Sequence, residues 1–468
     1  MADAQDVPDA TEISRAVRSG GWTAREVAEA ALVRIGERDQ RLNAVEQILT
    51  ARARADACAV DAQEAAARGP LAGVPVAVKA ENSIAGVVTT CGGLTGESPA
   101  ESDSEVVRRL RRSGAVLVAT TRMPEFGLFP FTEGAWGATA NPWLRTHSPG
   151  GSSGGSAAVV ASGMVPAAIG GDGGGSLRIP ASACGLVGLK PVRGRISTSP
   201  SPDLWGALGT LGVLTRTVAD SALLHDALRG ETPLDRYAAV DPAESFVQAA
   251  AREPGSLRIG WFTRSPWPGV PVDPRICRLL SAVVDVLSAA GHRLVHLGGH
   301  WPDSSGPFMA LYYAGMRAAL RRADRPDLAE ARTRAVARSG AWVRPLVRLS
   351  AIKSAGRLEK EVRREFAEYD LLLTPTLAAL PPRLGQLGSA GAARSWQRSL
   401  PFVAFTTLAN VTGHAAMSLP AGMVDGLPVG VQLYAPDGDE TRLFPIARQW
   451  EWLRPWPRTA SDGGGPLL

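Results

Sequence analysis

The segment from Gly150 to Gly185 limits this chain more than any other. Eleven glycines fall within it, concentrated in SPGGSSGGS at 148–156 and GGDGGGS at 170–176. Glycine loses more backbone entropy on folding than any other residue, so such density needs a compensating reason. The usual reason is a loop whose successive backbone amides converge on one spot. Neither run is a phosphate-binding loop. GxxxxGK[ST] is absent, and neither run has the strand–GxGxxG–helix setting with an acid about 20 residues on.

Two serines sit in these runs. Ser176 follows three glycines, a setting that can present Oγ on a tight turn while aiming backbone N–H groups inward as an oxyanion hole. Ser152, in PGGSSGGS, has similar backbone access. Taken singly, each reads as an ordinary turn serine. Lys79 changes the weighing. The chain has only four lysines, at 79, 190, 353 and 360, against 46 arginines. Its positive charge is carried by arginine, and a lysine kept in an apolar run suggests a chemical requirement, because a buried amine can shed its proton and a guanidinium cannot. Lys79 closes the apolar β-rich run VPVAVK. No histidine has a comparable setting. A Ser–Ser–Lys set supplies a nucleophile, a proton bridge and a base.

The flanking pattern is that of an α/β protein. Residues 10–70 read as helices, with N-caps at Thr11 and at Thr23, the latter opening a capping box with Glu26. Strands are expected in VPVAVK at 74–79, AVLVATT, LRIGWF, HRLVHL, YDLLLTPT, AMSLPAG and LPVGVQLYAP. Helices are expected at 104–113, in TVADSALLHDALRG, at 275–291 and in the closing TRLFPIARQWEWL. His292, His296 and His300 are four apart, but Gly291, Gly298 and Gly299 favour a strand and turn over a metal-binding helix face. The Asn410-Val411-Thr412 sequon is a pattern match only.

Composition excludes several classes. The net charge is +5 and the pI about 9.3, yet no Lys/Arg-rich block exists, so no nucleic-acid partner is expected. No run is long and unbroken enough for a membrane span, and the acidic N-terminus lacks the apolar core of a signal peptide. The cysteines, at 58, 91, 184 and 277, are too far apart for a zinc ribbon and read as free thiols. A cytoplasmic location is expected.

Several blocks in order resemble the amidase signature family: GVPVAVK, MPEFG, WGATANPW, SPGGSSGGSAAVVASG, GGDGGGSLRIPASACGLVGLKPVRGRIS, and the NxTGxxAxSLP and GLPVGVQL blocks at 410–433. The resemblance implies one α/β domain built on a large mixed sheet flanked by helices on both faces. Residues 1–70 would form an N-terminal helical segment and 71–468 the amidase domain, with its signature core at 71–230 and a variable helical region at 301–395. Carried over, Ser176 corresponds to the acyl-forming nucleophile, Ser152 to the bridging serine after a cis peptide bond from Gly151, and Lys79 to the base. The N–H groups of Gly173, Gly174, Gly175 and Ser176 correspond to the oxyanion hole, with Asp172 and Arg178 bracing the loop. No metal or organic cofactor is implied. The partner is a small amide substrate, and a homodimer is compatible.

The chain departs from the family pattern in three places. Ala80 follows the lysine where an acid is usual, Arg122 stands for Asn in TRMPEF, and Gly171 and Gly173 occupy positions that are often Thr. The amidase subunit of a tRNA-dependent amidotransferase is an alternative, disfavoured by Ala80 and by Ile179 where that subunit carries Gln. A non-catalytic binding protein on the same fold is a second alternative, disfavoured by retention of Lys79, Ser152 and Ser176. Phe126, Phe129 and Phe131 are candidates for an apolar acyl pocket. TEGAWGATANPW resembles amidases acting on cyclic or linear amide oligomers, without naming a substrate.

Overall fold

A computed structural model describes residues 7–201, 203–298, 301–388 and 391–460. His300 and the C-terminal SDGGGPLL lie outside the described residues. In chain order the strands are β1 Val45–Ile48, β2 Pro75–Lys79, β3 Val116–Thr121, β4 Glu133–Gly134, β5 Gly137–Ala138, β6 Ala167–Asp172 and β7 Val187–Lys190. They continue with β8 Thr210–Thr215, β9 Arg258–Trp261, β10 Arg293–His296, β11 Leu371–Pro375, β12 Ala416–Val424 and β13 Leu427–Tyr434. Eleven of them form one sheet in the order β1-β3-β2-β6-β8-β7-β12-β13-β11-β9-β10, while β4 and β5 pair as a separate short hairpin.

The sheet is mixed. β2 runs parallel to β3 and to β6. From β6 through β8, β7, β12, β13 and β11 each neighbouring pair is antiparallel, and β11, β9 and β10 are parallel again. β2, β3 and β6 are buried along their whole length. That is why β2 and β3 read as continuous apolar runs and not as alternating patterns, whereas β6, AAIGGD, lies in the glycine-rich segment and is not among the expected strands.

Of the two expected caps, Thr23 holds and Thr11 does not. Thr23 accepts from Glu26 N–H while Glu26 accepts from Thr23 N–H at 2.9 Å, closing the capping box of helix Ala24–Arg38. Thr11 does not cap. Helix Ala10–Arg18 starts after Asp9, and Thr11 instead donates through N and Oγ1 to Asp220 Oδ1 at 2.9 and 2.7 Å, docking this helix on Val218–Leu228. The first 70 residues are also not purely helical, since Val45–Ile48 adds edge strand β1 beside β3. His292 Nε2 donates to Gln449 Oε1 at 2.7 Å, and His296 packs edge-on to Trp261, each in a separate contact.

His225 is fully buried between Phe246 and Phe444, with Nδ1 2.7 Å from Ser221 O. Burial holds its ring neutral, lowering its pKa to about 4. The unfolded chain takes up this proton near pH 6.5 and the folded chain only near 4, so stability is complete above 6.5 and falls as pH drops between these values. The cost of this one group at pH 4 is roughly 3 kcal/mol. Urea unfolding at pH 7.5 and 4.5 should show a lower midpoint in acid, and His225→Phe should reduce the difference.

Candidate active site

β2 and β6 are parallel neighbours, so their C-terminal ends open on the same edge of the sheet. Crevices outside the carboxyl ends of strands are where open α/β sheets bind ligands. Lys79 is the last residue of β2 and is 1% exposed. Ser152 lies in the loop before helix Gly154–Ala161, after a cis Gly151–Ser152 peptide bond. Ser176 lies in the turn between β6 and helix Arg178–Cys184. One cavity is lined by Lys79, Ser152 and Ser176 together. Within it Lys79 Nζ donates to Ser152 Oγ at 2.8 Å.

The two glycine loops clasp each other. Ser153 N–H donates to Ser176 O at 3.2 Å, and Ser153 Oγ to Gly171 O at 3.2 Å. The glycines are sterically required. A Cβ on Gly151 would lie 2.6 Å from Phe131 N, and one on Gly175, whose φ is +121°, would lie 2.3 Å from Thr406 Oγ1.

Asp172 and Arg178 fix the turn that carries Ser176. The carboxylate accepts from Gly175 N–H at 2.7 Å, Leu177 N–H at 3.2 Å, Asn410 Nδ2 at 2.8 Å and two Arg178 nitrogens at 3.0 Å. Arg178 also donates to Thr406 O, Gln432 Oε1 and Asn410 Oδ1 at 2.7–2.8 Å. Burial alone would raise the Asp172 pKa. The adjacent guanidinium and these hydrogen bonds outweigh it and hold the group at about 2.

This network changes one sequence expectation. Gly175 N–H is taken by Asp172, so it is not free to face a substrate. Among the described residues no acceptor takes the N–H of Gly173, Gly174 or Ser176. Gly173, Gly174 and Ser176 also line the cavity, and Gly175 does not.

The aromatic candidates separate as well. Phe129 lines the cavity of the two serines, and Phe126 lines a wider adjoining one. Phe131 lines neither. It is fully buried and stacks on Phe129 at 5.0 Å beneath the Gly151 loop, where it supports the wall from behind. The same cavity is lined by Trp205, Phe308, Tyr312 and Trp396, with Trp396 edge-on to Phe129 at 6.5 Å and to Tyr312 at 4.8 Å.

The family model named Amidase matches residues 26–444. The chain belongs to the amidase family. AmiB2 of Mycobacterium tuberculosis (strain ATCC 25618 / H37Rv), which bears an amidase name, is 40% identical, with 95% of each chain covered. The 6-aminohexanoate-cyclic-dimer hydrolase of Paenarthrobacter ureafaciens is 34% identical over 96% of this chain and 95% of its own. A solved structure of 6-aminohexanoate cyclic dimer hydrolase complexed with substrate superposes with a TM-score of 0.90 at 32% identity, covering 98% of this chain and 99% of that one. A bacterial aryl acylamidase of the amidase signature family superposes at 0.87 with 27% identity, covering 98% and 99%. The large mixed sheet and amide C–N bond hydrolysis are therefore common ground between this amidase and its relatives.

Several residues of the amidase were not found by sequence reasoning. Asn410 was read as part of a sequon and as the first residue of the NxTGxxAxSLP block, without a role in the site, yet it is 1% exposed and its amide donates to Asp172. Gln432 and Thr406 meet Arg178 from distant positions, and the only advance signal was their place in or near the C-terminal family blocks. Lys190 shows that a lysine in an apolar run is not by itself diagnostic. It too is fully buried, but Nζ donates to Pro191 O at 2.7 Å and does not line the cavity. Arg122 is engaged with Asn43 Oδ1 at 3.1 Å and the Trp136 ring. Among the described residues no helix is long and apolar enough to cross a membrane.

Arg178→Ala would leave the Asp172 carboxylate buried without its counter-charge. Removing one partner of a buried pair costs about 3–5 kcal/mol. Urea unfolding of the variant at pH 7 should show a loss of that size.

Proposed function

We propose that Ser176 is the acyl-forming nucleophile of this amidase, Ser152 the proton bridge and Lys79 the base. The observation that carries the reading is the 2.8 Å contact between the buried Lys79 amine and Ser152 Oγ, in the cavity that Ser176 also lines. With Lys79 neutral, it takes the Ser152 proton while Ser152 takes the proton from Ser176. Ser176 Oγ then bonds to the amide carbon, and the carbonyl oxygen becomes an oxyanion facing the N–H groups of Gly173, Gly174 and Ser176. As the C–N bond breaks, the proton returns through Ser152 to the leaving amine. Water attacks the acyl carbon as Ser152 and Lys79 accept its proton, and when the bond from Ser176 Oγ to that carbon breaks the proton returns through Ser152 to Ser176 Oγ and the carboxylic acid leaves.

The cavity supports an uncharged amide with apolar flanks as substrate. Phe129, Trp205, Phe308, Tyr312 and Trp396 supply the walls, and Ile179 stands where a glutamine would add a polar anchor. The likeness to 6-aminohexanoate-cyclic-dimer hydrolase points the same way.

The test is a panel of 6-aminohexanoate cyclic dimer, an acylanilide, glutamine and malonamate, scored by released amine or ammonia. The apolar amides should exceed the charged ones by at least about tenfold in kcat/KM, and Ser176→Ala should lower turnover by about a thousandfold or more. A preference for glutamine or malonamate would overturn the substrate class, and full activity in Ser176→Ala would overturn the nucleophile.

A further inference from the structure

Lys79 Nζ has a second polar neighbour that no sequence pattern indicated. Glu81 Oε1 lies 3.1 Å from it, and the Glu81 side chain is 13% exposed. The two groups are close but not aligned as a hydrogen bond, and Oε1 has no hydrogen-bond donor among the described residues. Glu81 also borders both the cavity of the two serines and the wider one beside it.

The place that Oε1 occupies exists because position 171 has no side chain. A Cβ on Gly171 would lie 2.1 Å from Glu81 Oε1 and 3.2 Å from its carboxyl carbon. Gly171 is on β6, the parallel neighbour of β2, and its φ is not in the left-handed region, so its backbone does not require glycine. The requirement is space. Two departures from the family pattern, Ala80 after the lysine and Gly171 near the end of β6, thus become one arrangement. The acid is one position later in the sequence, and the facing strand has a glycine that makes room for it.

We propose that Glu81 is the positioning residue of the base Lys79 and that Gly171 is its steric complement. The carboxylate holds the amine at the end of β2, directed at Ser152 Oγ, in the orientation needed for proton transfer. This rests on the Ser176–Ser152–Lys79 reading. The two residues form a coupled pair, so a side chain at 171 acts by displacing Glu81.

The test uses the full-length protein with Glu81→Gln, Glu81→Ala, Gly171→Ser and the Glu81→Ala/Gly171→Ser double variant, with Lys79→Met as reference. Measured quantities are kcat and KM on the best amide of the panel, and thermal midpoints. Glu81→Gln should lower kcat about a hundredfold, the effect of misplacing a reacting group by about 1 Å, with KM and thermal midpoint little changed. Gly171→Ser should lower kcat similarly, and the double variant should be no worse than Glu81→Ala alone. Wild-type kcat in Glu81→Gln, or losses that multiply in the double variant, would overturn the pairing. If Gly171→Ser does not fold, Glu81→Gln alone decides. Full activity in Lys79→Met would instead overturn the triad reading on which the pairing rests.

Discussion

Asp172 and Arg178 meet at 3.0 Å with neither side chain exposed. Moving such a pair out of water is costly, and mutual attraction repays it only when the remaining hydrogen-bonding capacity is met. Here it is met by residues far apart in the chain. Gly175 and Leu177 donate from the turn, Asn410 bonds to both partners, and Thr406 and Gln432 accept from the guanidinium. The pair thereby fixes the turn that presents Ser176 against the C-terminal part of the sheet. It also consumes Gly175 N–H and leaves those of Gly173, Gly174 and Ser176 unclaimed. The positions of Ser176 and of the unclaimed donors are thus consequences of one buried interaction.

The second constraint is the parallel pairing of β2 with β6. It sets Lys79 beside the start of the glycine loop, and the loop bearing Ser152 closes over both. Glycines at 151 and 175 are needed because Phe131 and Thr406 already occupy the space that a Cβ would take, and at 171 the end of the Glu81 side chain lies in that space. Glycine density in this segment is therefore a matter of close packing around a site as much as of turn geometry.

Much of this arrangement was legible in the sequence. Strands buried on both faces give continuous apolar runs, so β2, β3, β11 and β13 stand out without an alignment. Thr23 with Glu26 marks a helix start because both halves of the capping box are local. What escaped was non-local or weakly patterned. β1 is four residues of mixed polarity, VEQI, between helices, and only its pairing with β3 makes it a strand. Thr11 looked like a cap, but its partner is Asp220 on a distant helix. Phe129 and Phe131 cannot be told apart by sequence, since which one faces the cavity depends on the fold of the loop. Ala80 read as a lost acid, because Glu81, in the turn after β2, meets Gly171 only across the gap to β6. Asn410 and Gln432 carry no chemistry of their own, and their importance appears only once Arg178 is seen to be buried.

The central claim is that these constraints yield an activated serine at position 176. Treatment with a fluorophosphonate, followed by intact mass and peptide mapping, tests this without knowledge of the substrate. The account predicts a single adduct on Ser176 that is absent in Lys79→Ala and in Ser176→Ala. A folded protein left unlabelled from neutral to alkaline pH, or an adduct on another residue, would contradict it.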